Sequence, residues 1–200
     1  MVIVAAVVGL GCGPLLRAGI ARYAATPRFG VVEVVAALGL VLVAWGLARA
    51  SIWVQLAAAW LVLCGVVLAF VDVAVQRLPN PWTGAAAAGV FVLLAAERDP
   101  ARLGRAVLCG LAAAGWYLVL AFVMPAGMGL GDVKLAFPLG LALGWWGGTV
   151  ALLGVASGFL LHGLLTVVLL VTKRIGRRGQ LPHGPAMIVG AVTVLALLGG

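Results

Sequence analysis

The stretch Leu61-Val62-Leu63-Cys64-Gly65-Val66-Val67-Leu68-Ala69-Phe70-Val71 is apolar without interruption, meets a carboxylate at Asp72, and resumes with Val73-Ala74-Val75 before Arg77. Counted from Ile52, the apolar run reaches the roughly 20 residues that a helix needs to cross a bilayer. A carboxylate at the edge of such a run is costly in hydrocarbon unless it faces protein or a water-filled cavity. The segment therefore reads as a membrane helix, and Asp72 as a functional candidate.

The pattern recurs on both sides. Apolar stretches at 2–18, 31–48, 52–71, 82–96, 103–124, 134–146, 149–171 and 184–199 predict an all-α membrane protein, a polytopic bundle of about seven or eight transmembrane helices. The sixth is the shortest. Of the 200 residues 65% are hydrophobic and 9% charged, against about 45–50% and about 25% in soluble domains. That excludes a water-soluble globule. The short loops leave no room for a separate soluble domain, so residues 1–200 form a single integral-membrane domain and any chemistry sits on the bundle. The first run lacks a basic stretch before it and more spans follow, so it is not expected to be a cleaved signal peptide.

A net charge of +8 would suggest a nucleic-acid partner in a soluble protein. Here the cations lie at the ends of apolar segments, where they set topology, and no nucleic acid is expected. If all eight segments cross, one set of alternate loops carries Arg17, Arg22, Arg28, Arg77, Lys134, Lys173, Arg174, Arg177 and Arg178. The other carries only Arg49, Arg98, Arg102 and Arg105. The first set is expected on the cytoplasmic side of the cytoplasmic membrane, with both chain ends opposite. Cys12, Cys64 and Cys109 fall singly in apolar stretches without a CxxC pair, which predicts neither a zinc site nor a disulfide framework, and no cofactor is indicated. Gly140, Gly144 and Gly148, and likewise Gly154 and Gly158, recur at four-residue intervals suited to close helix contact. Trp145 and Trp146 read as an interfacial belt at a helix end.

Only five acidic residues are present. Glu97 and Asp99 stand among arginines in a polar loop, and Glu33 opens the second apolar run, where the helix dipole favours a carboxylate. Asp132 differs. It follows Gly127-Met128-Gly129-Leu130-Gly131, precedes Val133-Lys134-Leu135, and falls at the same membrane depth as Asp72 in the predicted topology. Two carboxyls sharing a desolvated site cannot both ionise cheaply, so one tends to keep a proton while the other is an anion. The anion can take a proton from water while the acid donates to a carbonyl oxygen, as in aspartic proteases. Glycines before Asp132 would let an extended peptide approach the backbone. The same pair would also serve a small ion- or solute-coupled transporter, although no internal repeat is evident. A non-catalytic assembly factor gives no reason to keep two costly carboxylates.

These residues resemble the type IV prepilin peptidases, membrane aspartyl proteases of the GxGD class. Gly127, Gly129, Gly131, Asp132 and Lys134 match one family motif. Asp72, followed by Pro79-Asn80 and Thr83, is similar to the other, 60 residues earlier. Glu33, the glycines around Cys12, and Leu181-Pro182-His183-Gly184-Pro185-Ala186 extend the likeness, with His183 standing where an aromatic residue is common. The cytoplasmic cysteine-rich zinc segment of many bacterial members has no counterpart between Arg22 and Glu33. The resemblance therefore implies a short form that cleaves without N-methylation. Its implied substrates are prepilin-like proteins with a short basic leader and a hydrophobic stem, cut at the cytoplasmic face of the lipid bilayer. The implied catalytic residues are Asp72 and Asp132, with Lys134 tuning Asp132 or meeting lipid phosphate, and Gln76 and Asn80 orienting the loop or the substrate.

Overall fold

A computed structural model of the chain describes residues 2–124, 128–174 and 181–199. Gly127, Arg177 and Arg178 lie outside the described residues. All regular structure among them is helical, in the order α1 (Val2–Gly11), α2 (Gly13–Ala21), α3 (Val31–Gly46), α4 (Ile52–Val75), α5 (Asn80–Ala95), α6 (Pro100–Val123), α7 (Leu130–Gly144), α8 (Gly148–Val171) and α9 (Gly184–Leu198). Three helices, α4, α6 and α8, are each 24 residues and apolar enough to cross a membrane. The shorter apolar helices α3, α5 and α9 have 16, 16 and 15 residues, about 24 Å at 1.5 Å per residue, short of a bilayer core of about 30 Å.

The helix boundaries follow local chemistry. The first apolar run is broken, because Pro14 cannot donate a backbone hydrogen bond and its ring crowds the preceding turn. α1 and α2 meet at Cys12 with a bend of 42°. Ser51 caps α4 through Val54 N–H, and Asp99 caps α6 by accepting from Arg102 N–H at 2.9 Å. Prolines occupy first-turn positions of α5, α6 and α9, where a missing N–H costs nothing. Gln76, at φ +50°, ends α4 and turns the chain toward α5. Helix α7 begins at Leu130, four residues before the expected start at 134, so Asp132 sits inside its first turn.

Small residues set the helix spacing. A Cβ on Gly140 would lie 2.9 Å from Cys109 O and from Gly110 Cα, and one on Gly144 would lie 2.4 Å from Cys109 Cβ, so the predicted glycine face is the α6–α7 contact. Gly154 takes the Leu143 side chain and Gly158 the α9 backbone at Met187. Gly148 is different, since a Cβ there would meet open space. Helix α4 is largely buried at the centre, with Val67, Leu68 and Val71 fully covered, whereas α8 presents Leu160, Leu164 and Val171 outward. Such outward apolar faces suit lipid.

Trp145 departs from the expected belt. It is 2% exposed, and Arg105 donates to the Gly144 and Trp145 carbonyls while the Arg102 guanidinium stands 6.0 Å from its ring. The α7 C-terminus leaves carbonyls unpaired, and Arg105 meets two of them. Trp145 is therefore core rather than belt.

Candidate active site

The C-terminal end of α4, the N-terminal ends of α5, α7 and α9, and the segment after α2 converge at one end of the bundle. They enclose an open cavity of about 700 Å³. Asp72 and Asp132 both line it, with Gln76, Leu78, Pro79, Asn80, Gly129, Gly131 and Lys134. The two sequence motifs are thus brought to one site.

Each aspartate is held by a backbone donor. Asp72, in the last turn of α4, is 5% exposed and accepts from Gly184 N–H at 3.0 Å through Oδ2. Asp132, third residue of α7, is 9% exposed and accepts from Gly129 N–H at 3.1 Å through Oδ2. Helix N-termini leave N–H groups unpaired and carry partial positive charge, so α9 and α7 each present a donor suited to a carboxylate. One oxygen of each carboxylate is engaged in this way.

Pro79, Asn80, Gly129, Gly131 and Lys134 build the walls. Lys134 Nζ donates to Asn80 Oδ1 at 2.8 Å, tying α7 to α5 across the cavity rim. Pro79 caps α5, and the Thr83 hydroxyl donates to Asn80 O at 3.1 Å, fixing the turn that carries both. Gly131 is used for packing, since a Cβ there would lie 3.1 Å from Leu78 Cβ. Glu33 is not in the cavity lining. It accepts from Gly30 N–H at 2.9 Å and pairs with Arg17 at 3.7 Å. Arg17 in turn donates to the Pro27 and Arg28 carbonyls. This set anchors the connection from α2 to α3, whose Arg22 and Tyr23 reach the cavity. Glu97 and Asp99 lie at the opposite end, where Glu97 accepts from the Ser51 hydroxyl.

Comparison with known families decides the class. A model of the type IV leader peptidase family matches residues 57–198, more than half of the chain. The chain belongs to the type IV leader peptidase family. The matched span runs from within α4 to the end of α9 and so contains Asp72, Asp132, Lys134 and Gly184. Membership makes the chain a membrane peptidase. Comparison with curated proteins and with solved structures returned no match.

Two polar groups in contacts around the start of α9 were not singled out in the sequence. Gly184 acts through its backbone N–H, which no side-chain pattern reveals, although the Pro-His-Gly-Pro context marks a helix start. Tyr117 lies in the middle of an apolar run, yet its hydroxyl meets His183 Nε2 at 3.1 Å. Burial, and to a smaller degree the neighbouring His162, push the His183 imidazole down to about 4, so it is neutral near pH 7. Among the described residues, no three His, Cys, Asp or Glu side chains group as a metal site.

The Gly184 contact gives a direct prediction. A Cβ at Gly184 would lie 2.8 Å from Asp72 Oδ2, so Gly184→Ala displaces the carboxylate. Turnover is expected to fall about a hundredfold, the scale of an ångström-sized misplacement, with the melting temperature in detergent little changed. Turnover equal to wild type would show that Asp72 is not positioned by this contact.

Proposed function

We propose that the chain is an aspartic endopeptidase in which Asp72 and Asp132 form the dyad that activates water. It removes the short basic leader from type IV prepilin-like proteins at the cytoplasmic face of the membrane. The observation that carries this reading is that two carboxylates, from motifs 60 residues apart, line one cavity at the end of the bundle. Each is buried and oriented by a helix N-terminal N–H.

The chemistry follows from the pairing. With one carboxyl ionised and the other protonated, the anion accepts a proton from water as its oxygen attacks the scissile carbonyl. The acid donates its proton to the carbonyl oxygen. The aspartate that took the water proton then donates it to the leaving amine as the C–N bond breaks, while a hydroxyl of the tetrahedral species gives its proton to the other aspartate, which regenerates the dyad with one proton. Titration belongs to the pair rather than to either residue.

The charge pattern supports the orientation. Arg22, Arg77 and Lys134 line the cavity, and cations at a helix end favour the cytoplasmic side. A basic leader is accommodated outside these cations, against anionic lipid headgroups, while the neutral junction enters the cavity and the apolar stem stays in lipid. The interval from Arg22 to Glu33 contains no cysteine, which supports cleavage without N-methylation.

The test is co-expression with prepilin-type substrates carrying a basic leader and a glycine at the junction, read by the mass of the mature N-terminus. One cut after the glycine, leaving an unmethylated N-terminus, is expected. Several such substrates left intact would overturn the reading.

A further inference from the structure

Behind the two aspartates lies a buried polar cluster that the water-activating step does not use. Tyr117 of α6 is 1% exposed and His183 is 7% exposed. Their hydrogen bond links α6 to the start of α9. Phe159 of α8 stacks on Tyr117 with ring centres 5.2 Å apart and stands 5.1 Å from the His183 ring. His162, also on α8, meets His183 edge-on at 4.7 Å. The imidazole is thus enclosed by an anchored hydroxyl and two rings.

The place of His183 in the chain gives this enclosure a consequence. His183 caps α9, its carbonyl accepting from Met187 N–H at 3.1 Å. The next N–H, that of Gly184, donates to Asp72 Oδ2. The ring and the donor therefore flank the same peptide plane. Glycine gives that plane no side-chain restraint of its own, so its orientation depends on the residue before it. A buried hydroxyl and a buried imidazole each lose free energy if left unpaired, and the Tyr117–His183 bond therefore favours one ring geometry over others.

We propose that His183 is a positioning residue of the site, clamped by Tyr117 so that the His183–Gly184 peptide keeps its N–H on Asp72. The proposal rests on the reading of Asp72 as one of the dyad. It assigns a role to two residues outside the GxGD and Asp-Pro-Asn motifs, and it gives the histidine at this position a function beyond filling space.

The test combines a spectroscopic signature with kinetics. Each of the two histidines is followed by glycine, so carbonyl-13C histidine with 15N glycine selects only the Gly163 and Gly184 amides in the detergent-solubilised full chain. Asp72→Asn shifts the Gly184 amide proton upfield and leaves Gly163 in place, which assigns it. Tyr117→Phe keeps the ring stack and removes only the hydroxyl. It is expected to move the Gly184 proton part of the way toward its Asp72→Asn position. By loosening the Gly184 N–H bond to the Asp72 carboxylate it should also lower kcat about tenfold, the scale of one hydrogen bond to a charged group, with KM within about twofold. His183→Gln is expected to give the same kcat and KM split, and the double variant to lose no more than the worse single one. A Gly184 proton unmoved in folded Tyr117→Phe, or kcat unchanged in both variants, overturns the proposal. The amide arm decides it even if wild type cuts no leader, an outcome that would instead remove the peptidase role of Asp72.

Discussion

Asp72→Asn and Asp132→Asn are each expected to abolish leader cleavage, with turnover down at least about a thousandfold, within the range for loss of a general acid or base. Asparagine keeps the volume of aspartate and an oxygen able to accept from Gly184 or Gly129 N–H, so both variants should fold like wild type. What asparagine lacks is the ability to carry the proton or the negative charge. Because the two carboxyls act as one unit, the double variant is expected to be no worse than either single one. The measurement is initial cleavage rate against folded protein, with thermal melts confirming the fold. A single Asn variant that retained a tenth of wild-type turnover would exclude its aspartate from the chemistry.

The largest expected stability effect lies far from the site. Gly46 ends α3 against α9, and a Cβ there would lie 2.2 Å from Ala196 O and 2.4 Å from Ala196 Cα. Backbone atoms cannot rotate aside, so Gly46→Ala must separate the two helices. A loss of about 3 kcal/mol is expected, the upper end of the usual overpacking cost. Gly104→Ala is the internal control, since a Cβ there meets open space and alanine favours the helix. Unfolding by denaturing detergent should place Gly46→Ala well below wild type and Gly104→Ala at or slightly above it. Equal stability of the two variants would contradict the close α3–α9 contact. Because α9 also delivers Gly184 N–H to Asp72, partial folding of Gly46→Ala should cost activity as well.

Much of the fold was legible because bilayer burial leaves a strong compositional trace. The apolar run from Ile52 to Val71 marked α4, and the Gly140–Gly144 spacing marked a contact that α6 and α7 do make. The errors lie where one residue answers two demands. Asp132 and Lys134 depress local hydropathy, so α7 was expected from 134. In the structure Asp132 accepts the N-cap N–H of its own helix, and the helix starts at Leu130. Trp145 beside Trp146 suggested an interface, but Arg102 and Arg105 engage that helix end and Trp145 is buried. Pro14 carried the signal for the α1–α2 break, hidden within an otherwise continuous apolar run.

The site was legible to the extent that its parts are side chains. Asp72 and Asp132 stood out because acids are rare in this chain and costly in hydrocarbon. Asn80 and Lys134 were named separately, and their bond follows only from the packing of α5 against α7. Gly184 contributes a main-chain N–H, and Tyr117 a hydroxyl 66 residues from its partner. Neither spacing nor composition reports such contacts. The glycines of the GxGD motif were read as room for substrate, whereas Gly131 is fitted against Leu78.

The most direct test of the central claim uses the purified chain in liposomes containing anionic lipid, with a peptide comprising a basic leader, a glycine junction and an apolar stem. Mass spectrometry of both fragments and a cation-flux dye are read on the same vesicles. One cut after the glycine by wild type is expected, with no cut by Asp72→Asn or Asp132→Asn and no flux that depends on either aspartate. An intact peptide alongside cation flux lost in both variants would contradict the claim.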